Sequence, residues 1–369
     1  MEATSAGAMG SPRPDVYRKQ RTPRSVGEAF VKIAPFLIAF LILDGVLIAL
    51  VGTPAIRILL LAAAVLTIVF VGISLLFGRE TAIRVTLLAA ALISVLTTTG
   101  IVFSLLQETV VFFGEVGVGE YLFGTKWTPL AGGESQSFGV IPLVFDTLYL
   151  TGIGLLVAIP FGVGSAIYLS EYASPRVRRI LKPILEVLSG VPTIVFGYFA
   201  LTFVTPVILK GLGLEVGSFN ALSAGLVLGV LVLPTIATVA DDALTAVPGS
   251  LREGAFGLGA SRMQVSVRVV LPAALSGVVA ALVLGASRAI GETVIILVAG
   301  GQTTNLTLDP AQAMQNMAAF IAAASRADIP SSGPEYGAIF AVGTTLFVMT
   351  LVLNAISIRF VRKYRQVYE

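Results

Sequence analysis

The 369-residue chain contains no histidine and no cysteine, and only 12% of its residues are charged. The missing side chains exclude disulfide bonds, cysteine nucleophiles, zinc sites and histidine-based acid–base chemistry. A soluble domain is about 25% charged, so this chain has too little polar surface to face water on all sides. Apolar residues make up 56% of the chain, and its mean hydropathy is +0.93. The composition therefore indicates a polytopic membrane protein.

Eight stretches of the sequence are long and apolar enough to cross a bilayer, which requires about 20 residues per helix. They lie near 32–51, 55–77, 83–112, 140–169, 183–209, 219–240, 269–299 and 337–360. Two connections between them are long, and in the second of these Asp309 and Pro310 predict the start of a short external helix. We therefore expect an all-α fold with about eight transmembrane helices.

Lysine and arginine are distributed unevenly between the two sides of these spans. Nineteen lie in the N-terminal tail up to Lys32, in the connections over 79–84, 176–182 and 252–268, and in the C-terminal tail. Those on the other side are Arg57, Lys126, Lys210 and Arg326. The positive-inside rule then predicts a multi-pass protein of the cell membrane with both termini in the cytoplasm. The apolar spans imply contact with membrane lipid, and the net charge of only +3 disfavours a nucleic-acid partner.

The most informative connection is "VPGSLREGAFGLGASRMQVSVRVVLPAALSG", which is too long for a simple turn. Ser250 followed by Glu253 forms a capping-box pattern and predicts that a helix starts there. Gly259 permits a left-handed turn, and a second helix is expected from about Ser261. The predicted helix–turn–helix has an apolar face built from Leu251, Ala255, Phe256 and Leu258.

This connection resembles the EAA loop of permeases in binding-protein-dependent ABC importers. The matching residues are Glu253, Gly254, Ala255, Gly259, Val269, Leu271 and Pro272. Gly254 replaces the usual alanine and Val269 the usual isoleucine, while the Gly-x9-aliphatic-x-Leu-Pro spacing is intact. The resemblance implies that residues 249–265 dock an ATPase subunit.

A second stretch, "LGASRAIGETVIILVAGG", resembles the signature of the phosphate-uptake (Pst) permeases, and the C-terminal sequence favours their C-type subunit. The resemblance covers about 138–369 and implies a second related permease subunit, two ATPase subunits and an external phosphate-binding protein. No Gly-Lys dipeptide occurs, so the chain has no Walker A phosphate cradle. We therefore expect no cofactor, metal or catalytic residue in this chain, and ATP on a partner subunit.

Composition, the apolar stretches and the resemblance together divide the chain into five parts. They are a disordered cytoplasmic tail over 1–31, an extra transmembrane hairpin over 32–78, a transmembrane helix with an external loop over 79–139, an ABC type-1 permease domain over 140–361 with its coupling loop at 249–265, and a cytoplasmic tail over 362–369. The permease domain and the helix before it make up a six-helix core. Nothing in the sequence assigns a role to the hairpin or to its Asp44.

Charged residues inside the spans are candidates for a substrate pathway, because a charge at the bilayer centre must face protein or water. Arg288 and Glu292 lie four residues apart, which would place them on one face of a single helix. They could form a structural pair, or Arg288 could offer its guanidinium to an oxyanion while Thr293 lines the path. Glu186 is a further candidate, because Gly190 and Pro192 are expected to interrupt the helix that follows it.

Other polar and small residues in the spans favour structural roles. Asp241 and Asp242 end the sixth span, where solvation is expected to satisfy them. Gly225 and Gly229 form a GxxxG pattern that predicts close helix packing within the protein.

Three alternatives to phosphate import remain open at this point. A permease for sulfate, molybdate or tungstate would use the same loop. An ion-gradient-driven transporter or channel would leave the long loop unexplained. A membrane enzyme is disfavoured, since the chain has no histidine, cysteine or closely paired carboxylates.

Overall fold

A computed structural model describes Val65, Gly72 and residues 79–364, except 132, 305, 331 and 332. The predicted tail over 1–31, the remainder of the hairpin over 32–78 including Asp44, and residues 365–369 lie outside the described residues. The chain divides into two units between Ile101 and Val102. Nearly all of the described structure belongs to the second unit.

The described residues form helices, turns and one isolated bridge between Trp127 and Phe138. The helices are α1 (Arg79–Glu115), α2 (Val118–Phe123), α3 (Ile141–Ile167), α4 (Pro175–Ser189), α5 (Thr193–Phe199), α6 (Ala221–Thr245), α7 (Gly249–Gly257), α8 (Arg262–Val265), α9 (Leu275–Ile290), α10 (Met317–Ala324) and α11 (Pro334–Tyr364). Four π-helical segments follow helices of the described structure. They are Tyr168–Tyr172 after α3, Ala200–Leu209 after α5, Ser266–Val270 after α8 and Ile296–Gly300 after α9. A one-turn helix, Leu271–Ala273, precedes α9.

Four of the helical stretches are long and apolar enough to cross a membrane without a break: Ile83–Glu115, Ile141–Tyr172, Ala221–Thr245 and Pro334–Arg359. Two further pairs pass as single, bent spans: Pro175–Ser189 with Thr193–Leu209, and Arg262–Ala273 with Leu275–Ile290. Together they match the six predicted stretches from residue 83 onward, and the expectation of an all-α polytopic fold is confirmed.

Both bent spans break where the sequence weakens the helix. The first bends by 88° between Ser189 and Thr193. Gly190 and Pro192 lie in this break, as predicted, because proline disfavours a helical residue before it. The second span bends by 73° at Ala274, just after Pro272. Pro272 cannot donate a backbone hydrogen bond, and the residues before it form the π-helical turn Ser266–Val270.

Helix α6 lies at the centre of the second unit and packs along α3. Gly225 and Gly229 permit this contact: a Cβ on Gly225 would lie 2.6 Å from Ile153 Cγ2, and one on Gly229 would lie 2.7 Å from the Gly154 carbonyl oxygen. The predicted close packing at the GxxxG pattern is confirmed.

The predicted helix start at Asp309 is wrong. Asp309 Oδ1 accepts a hydrogen bond from the Ala311 N–H at 3.0 Å and forms a turn. Helix α10 starts later, where the Asn316 side chain caps the Ala319 N–H at 2.8 Å. Buried Met317 and Ala319 anchor this helix in the protein. The helix therefore starts where its apolar side chains can be buried, and not at the local capping pattern of Asp309.

Candidate substrate pathway and coupling loop

Arg288 lies in the last turn of α9, where a cation is favoured by the helix dipole. Its Nη1 donates a hydrogen bond to Thr235 Oγ1 on α6 at 2.7 Å. The side chain is only partly buried, and no described carboxylate forms an ion pair with it. Most of the guanidinium's five donors are therefore left for other partners.

The prediction that Arg288 and Glu292 share one face of a continuous helix is wrong. Helix α9 ends at Ile290, and Gly291 follows it as the C-terminal cap. Glu292 instead lies just before the next helical segment, which starts at Val294. Its Oε1 accepts hydrogen bonds from the backbone N–H groups of Val294 at 3.0 Å and Ile295 at 3.2 Å. These free N–H groups at a helix start stabilise the carboxylate without help from Arg288.

Glu292 is buried, with 8% of its surface exposed, and its backbone carbonyl accepts a hydrogen bond from Asn316 Nδ2 at 2.7 Å. The neighbouring Thr293 is partly buried, and its Oγ1 donates to the Gly291 carbonyl at 3.2 Å. The chain turn after α9 therefore brings Arg288, Glu292 and Thr293 together around a helix break.

Glu186 makes no described contact with this turn. Its side chain is exposed on α4 and takes part in no ion pair within the described structure. The helix beyond the break does reach the turn: a Cβ on Gly197 would lie 3.0 Å from Val298 Cβ and 3.3 Å from Ile295 Cα. The helix after this break therefore packs against the segment that follows Glu292, whereas the structure shows no contact between Glu186 and Arg288.

A buried polar layer that the sequence did not predict lies beside this turn. Asp146 on α3 is fully buried, and its Oδ2 accepts a hydrogen bond from the Gln315 N–H at 3.3 Å. The adjacent Thr147 Oγ1 accepts one from the Met317 N–H at 3.0 Å. Together with the Asn316–Glu292 bond, these contacts join α3 to the turn after α9. The signal that could have found Asp146 is its charge inside the predicted span 140–169.

The coupling loop has the predicted helix–turn–helix form. Gly259 has a φ of +83°, so the predicted left-handed turn is confirmed. The predicted capping box at Ser250 and Glu253 is wrong, because α7 already begins at Gly249 after Pro248. The capping box belongs to α8: Ser261 Oγ accepts from the Gln264 N–H at 3.3 Å, and Gln264 Oε1 accepts from the Ser261 N–H at 2.8 Å.

The predicted apolar face of the loop is divided between two environments. Ala255 packs inward with Leu271 against a cluster that includes Val265 and Val270. Leu258 is 91% exposed and Phe256 is 45% exposed. The other matching residues, Glu253, Gly254, Gly259 and Pro272, are exposed as well. The loop therefore presents an apolar surface, hereafter the Phe256–Leu258 patch, that none of the described residues covers.

The expectation that solvation satisfies Asp241 is wrong. Its side chain is 1% exposed and accepts hydrogen bonds at Oδ2 from Arg178 Nη2 at 2.8 Å and Lys182 Nζ at 3.2 Å. Lys182 also pairs at 3.0 Å with Asp242, whose side chain is 64% exposed. A two-cation clamp therefore holds α4 against the end of α6, beside the coupling loop.

The amino-acid sequence is similar to membrane components of known transport systems. Residues 158–366 match the family described as the binding-protein-dependent transport system inner membrane component. The chain is 33% identical over 243 residues to a probable ABC transporter permease protein of Bacillus subtilis (strain 168), YqgH, covering 66% of this chain and 75% of that one. It is 30% identical over 277 residues to the phosphate transport system permease protein PstC of Haemophilus influenzae, covering 70% and 84%.

Among solved structures, the fold matches a chain of a bacterial alginate ABC transporter crystallised with an alginate-bound periplasmic protein. The TM-score is 0.54 at 19% identity, and the match covers 79% of this chain and 99% of that one. This likeness shows the fold, and the sequence relatives show that the chain is a multi-pass ABC transporter permease. The chain belongs to the binding-protein-dependent transport system inner membrane component family, in which its relatives place it among the PstC-type permeases.

Proposed function

We propose that the chain is the membrane-spanning permease subunit of an ATP-driven importer that takes up inorganic phosphate. Relatives from Haemophilus influenzae, Pasteurella multocida and Mycobacterium bovis are phosphate transport permeases by name. The structural observation that carries the proposal is Arg288, a cation in a membrane span that has a neutral hydroxyl partner and no carboxylate partner among the described residues.

The arrangement around Arg288 suits transient binding of an oxyanion. The guanidinium offers a planar fork to a tetrahedral anion, and Thr235 holds one corner of it in a fixed orientation. Glu292 keeps its own backbone partners, so an arriving anion does not have to displace an ion pair. Its negative charge one chain turn away weakens anion binding and thereby favours release. Thr293 supplies a hydroxyl beside the path. Glu186, which precedes the break between α4 and α5, is proposed as a further pathway residue.

The driving force enters through the coupling loop. In the proposed orientation, both termini and residues 241–268 face the cytoplasm, where the Phe256–Leu258 patch docks into a groove on an ATPase subunit. ATP is bound and hydrolysed on two such partner subunits. A second, related permease completes the pathway, and an external phosphate-binding protein delivers the substrate.

Uptake of labelled phosphate tests the proposal in a deletion strain that carries this chain. Arg288→Gln should abolish uptake while membrane insertion and complex assembly stay near normal, because Thr235 retains a hydrogen-bond partner. Arg288→Lys keeps the charge and loses the fork, so partial uptake is expected. Arg179→Gln is the matched control, since Arg179 is exposed on α4, outside the coupling loop, and forms no ion pair among the described residues.

Two results would contradict the proposal. Full uptake by the Arg288→Gln variant would remove the anion contact from the mechanism. Competition experiments give the second result. If sulfate or molybdate reduced the uptake of labelled phosphate more strongly than unlabelled phosphate does, the permease would be assigned to that oxyanion. A guanidinium fork also fits these anions.

A further inference from the structure

Arg252 in the first turn of α7 makes an unusually complete set of hydrogen bonds. Its Nη2 donates to Glu171 Oε1 at 2.9 Å, and its Nε lies 3.3 Å from both carboxylate oxygens. Its Nη1 donates to the Val247 carbonyl at 2.6 Å, and Nη2 also reaches the Leu244 carbonyl at 2.8 Å. Arg252 immediately precedes the EAA pattern, which begins at Glu253, and is therefore not one of the matching residues.

These bonds connect three separate parts of the chain. Glu171 lies in the π-helical segment Tyr168–Tyr172 that ends α3, Leu244 lies in the last turn of α6, and Val247 lies in the turn that leads to α7. Helices α3 and α6 are packed tightly along their length, as Gly225 and Gly229 show. A displacement of α7 is therefore passed through one side chain to the ends of both helices.

The chemistry of this junction requires arginine. The last carbonyl groups of a helix have no partner within the helix. A guanidinium can donate to one of them, that of Leu244, and to the turn carbonyl of Val247 while it also pairs with a carboxylate. A lysine could keep the charge but could not hold these directions together. The side chains are 20% exposed for Arg252 and 7% exposed for Glu171, so water competes little for the carboxylate.

We propose that Arg252 is a positioning residue that rigidly joins the coupling helix α7 to α3 and α6, so that movement of the ATPase is converted into movement of the pathway. The proposal rests on the proposed function in one respect, the docking of an ATPase on the Phe256–Leu258 patch. Removal of the joint should leave that patch in place, because Phe256 and Leu258 make none of the Arg252 bonds. The ATPase should then still bind and hydrolyse ATP, while import per ATP falls.

The experiment uses the complete transporter in proteoliposomes and measures import and ATP hydrolysis in the same sample. For Arg252→Gln we expect normal co-purification of the ATPase and a fall of about tenfold in import per ATP, within the usual range of coupling free energies. Arg252→Lys should lie between this variant and the wild type. Glu171→Gln should also be milder, since Arg252 keeps its two carbonyl partners. Arg179→Gln is the matched control, because Arg179 is exposed on α4 and forms no ion pair in the described structure.

An unchanged import-to-ATP ratio in Arg252→Gln would overturn the proposal. So would a fall in complex yield with that ratio unchanged, which is the signature of a merely structural role. If the Arg252→Gln complex does not assemble, the Arg252→Lys complex is measured instead. A wild-type ratio of import to ATP hydrolysis in Arg252→Lys would then refute the proposed role of Arg252. A wild-type complex that imports sulfate or molybdate and not phosphate contradicts the proposed substrate alone, and the ratio is then measured with that anion.

Discussion

The contact between α3 and α6 makes a sharp prediction at Gly229. A Cβ at this position would lie 2.7 Å from the Gly154 carbonyl oxygen and 2.8 Å from Val157 Cβ. Neither atom is the free end of a flexible side chain, so Gly229→Ala must push the two helices apart. Gly164 on α3 offers the opposite case, because a Cβ there meets nothing within 4 Å.

The size of the effect follows from two opposing terms. Overpacking of a tight contact costs about 1–3 kcal/mol. Replacing a helical glycine by alanine recovers about 0.5–1 kcal/mol. Gly229→Ala should therefore lower the free energy of unfolding by up to about 2.5 kcal/mol. Gly164→Ala has only the favourable term and should raise it by about 0.5–1 kcal/mol.

Thermal unfolding of the purified complex in detergent measures both variants side by side. At about 2–4 °C per kcal/mol, Gly229→Ala should melt a few degrees below the wild type and Gly164→Ala at or above it. A Gly229→Ala protein that melts with or above Gly164→Ala would refute the close approach of α3 and α6.

Three further predictions concern the cytoplasmic end of the molecule. Asp241→Asn should destabilise the complex in the same melting assay by about 1–3 kcal/mol, because it removes the buried charge between two cations, whereas exposed Asp242 should matter by less than about 1 kcal/mol; equal effects would contradict the clamp. Gly259→Val should strain the left-handed turn by about 1–3 kcal/mol and reduce ATPase co-purification and uptake, and normal uptake would remove the turn from the mechanism. In this cysteine-free chain, Arg262→Cys should react with an impermeant thiol reagent only from inside the cell and Gln136→Cys from outside; the reverse pattern would invert the proposed topology.

The sequence alone determined the features that depend on short stretches of chain. The length of each apolar run located the six described spans, since a bilayer imposes the same minimum length on every helix. Gly190 and Pro192 predicted the first helix break, because proline restricts the backbone of the residue before it. Gly259 predicted the left-handed turn, because glycine adopts positive φ freely. The resemblance at the loop and at "RAIGET" supplied the family.

Only the tertiary structure decided which groups the polar side chains meet. Arg288 finds Thr235 across 53 positions of sequence, and Arg178 finds Asp241 across 63. The four-residue spacing suggested that Arg288 and Glu292 pair, but the helix ends between them and the backbone N–H groups after Glu292 take its carboxylate. Asp241, which was expected to face water, is buried for the same reason. Helix packing brings partners from distant parts of the chain next to these side chains, and their bonds outweigh those that local spacing or solvent offers. The order of residues in the sequence does not reveal such partners.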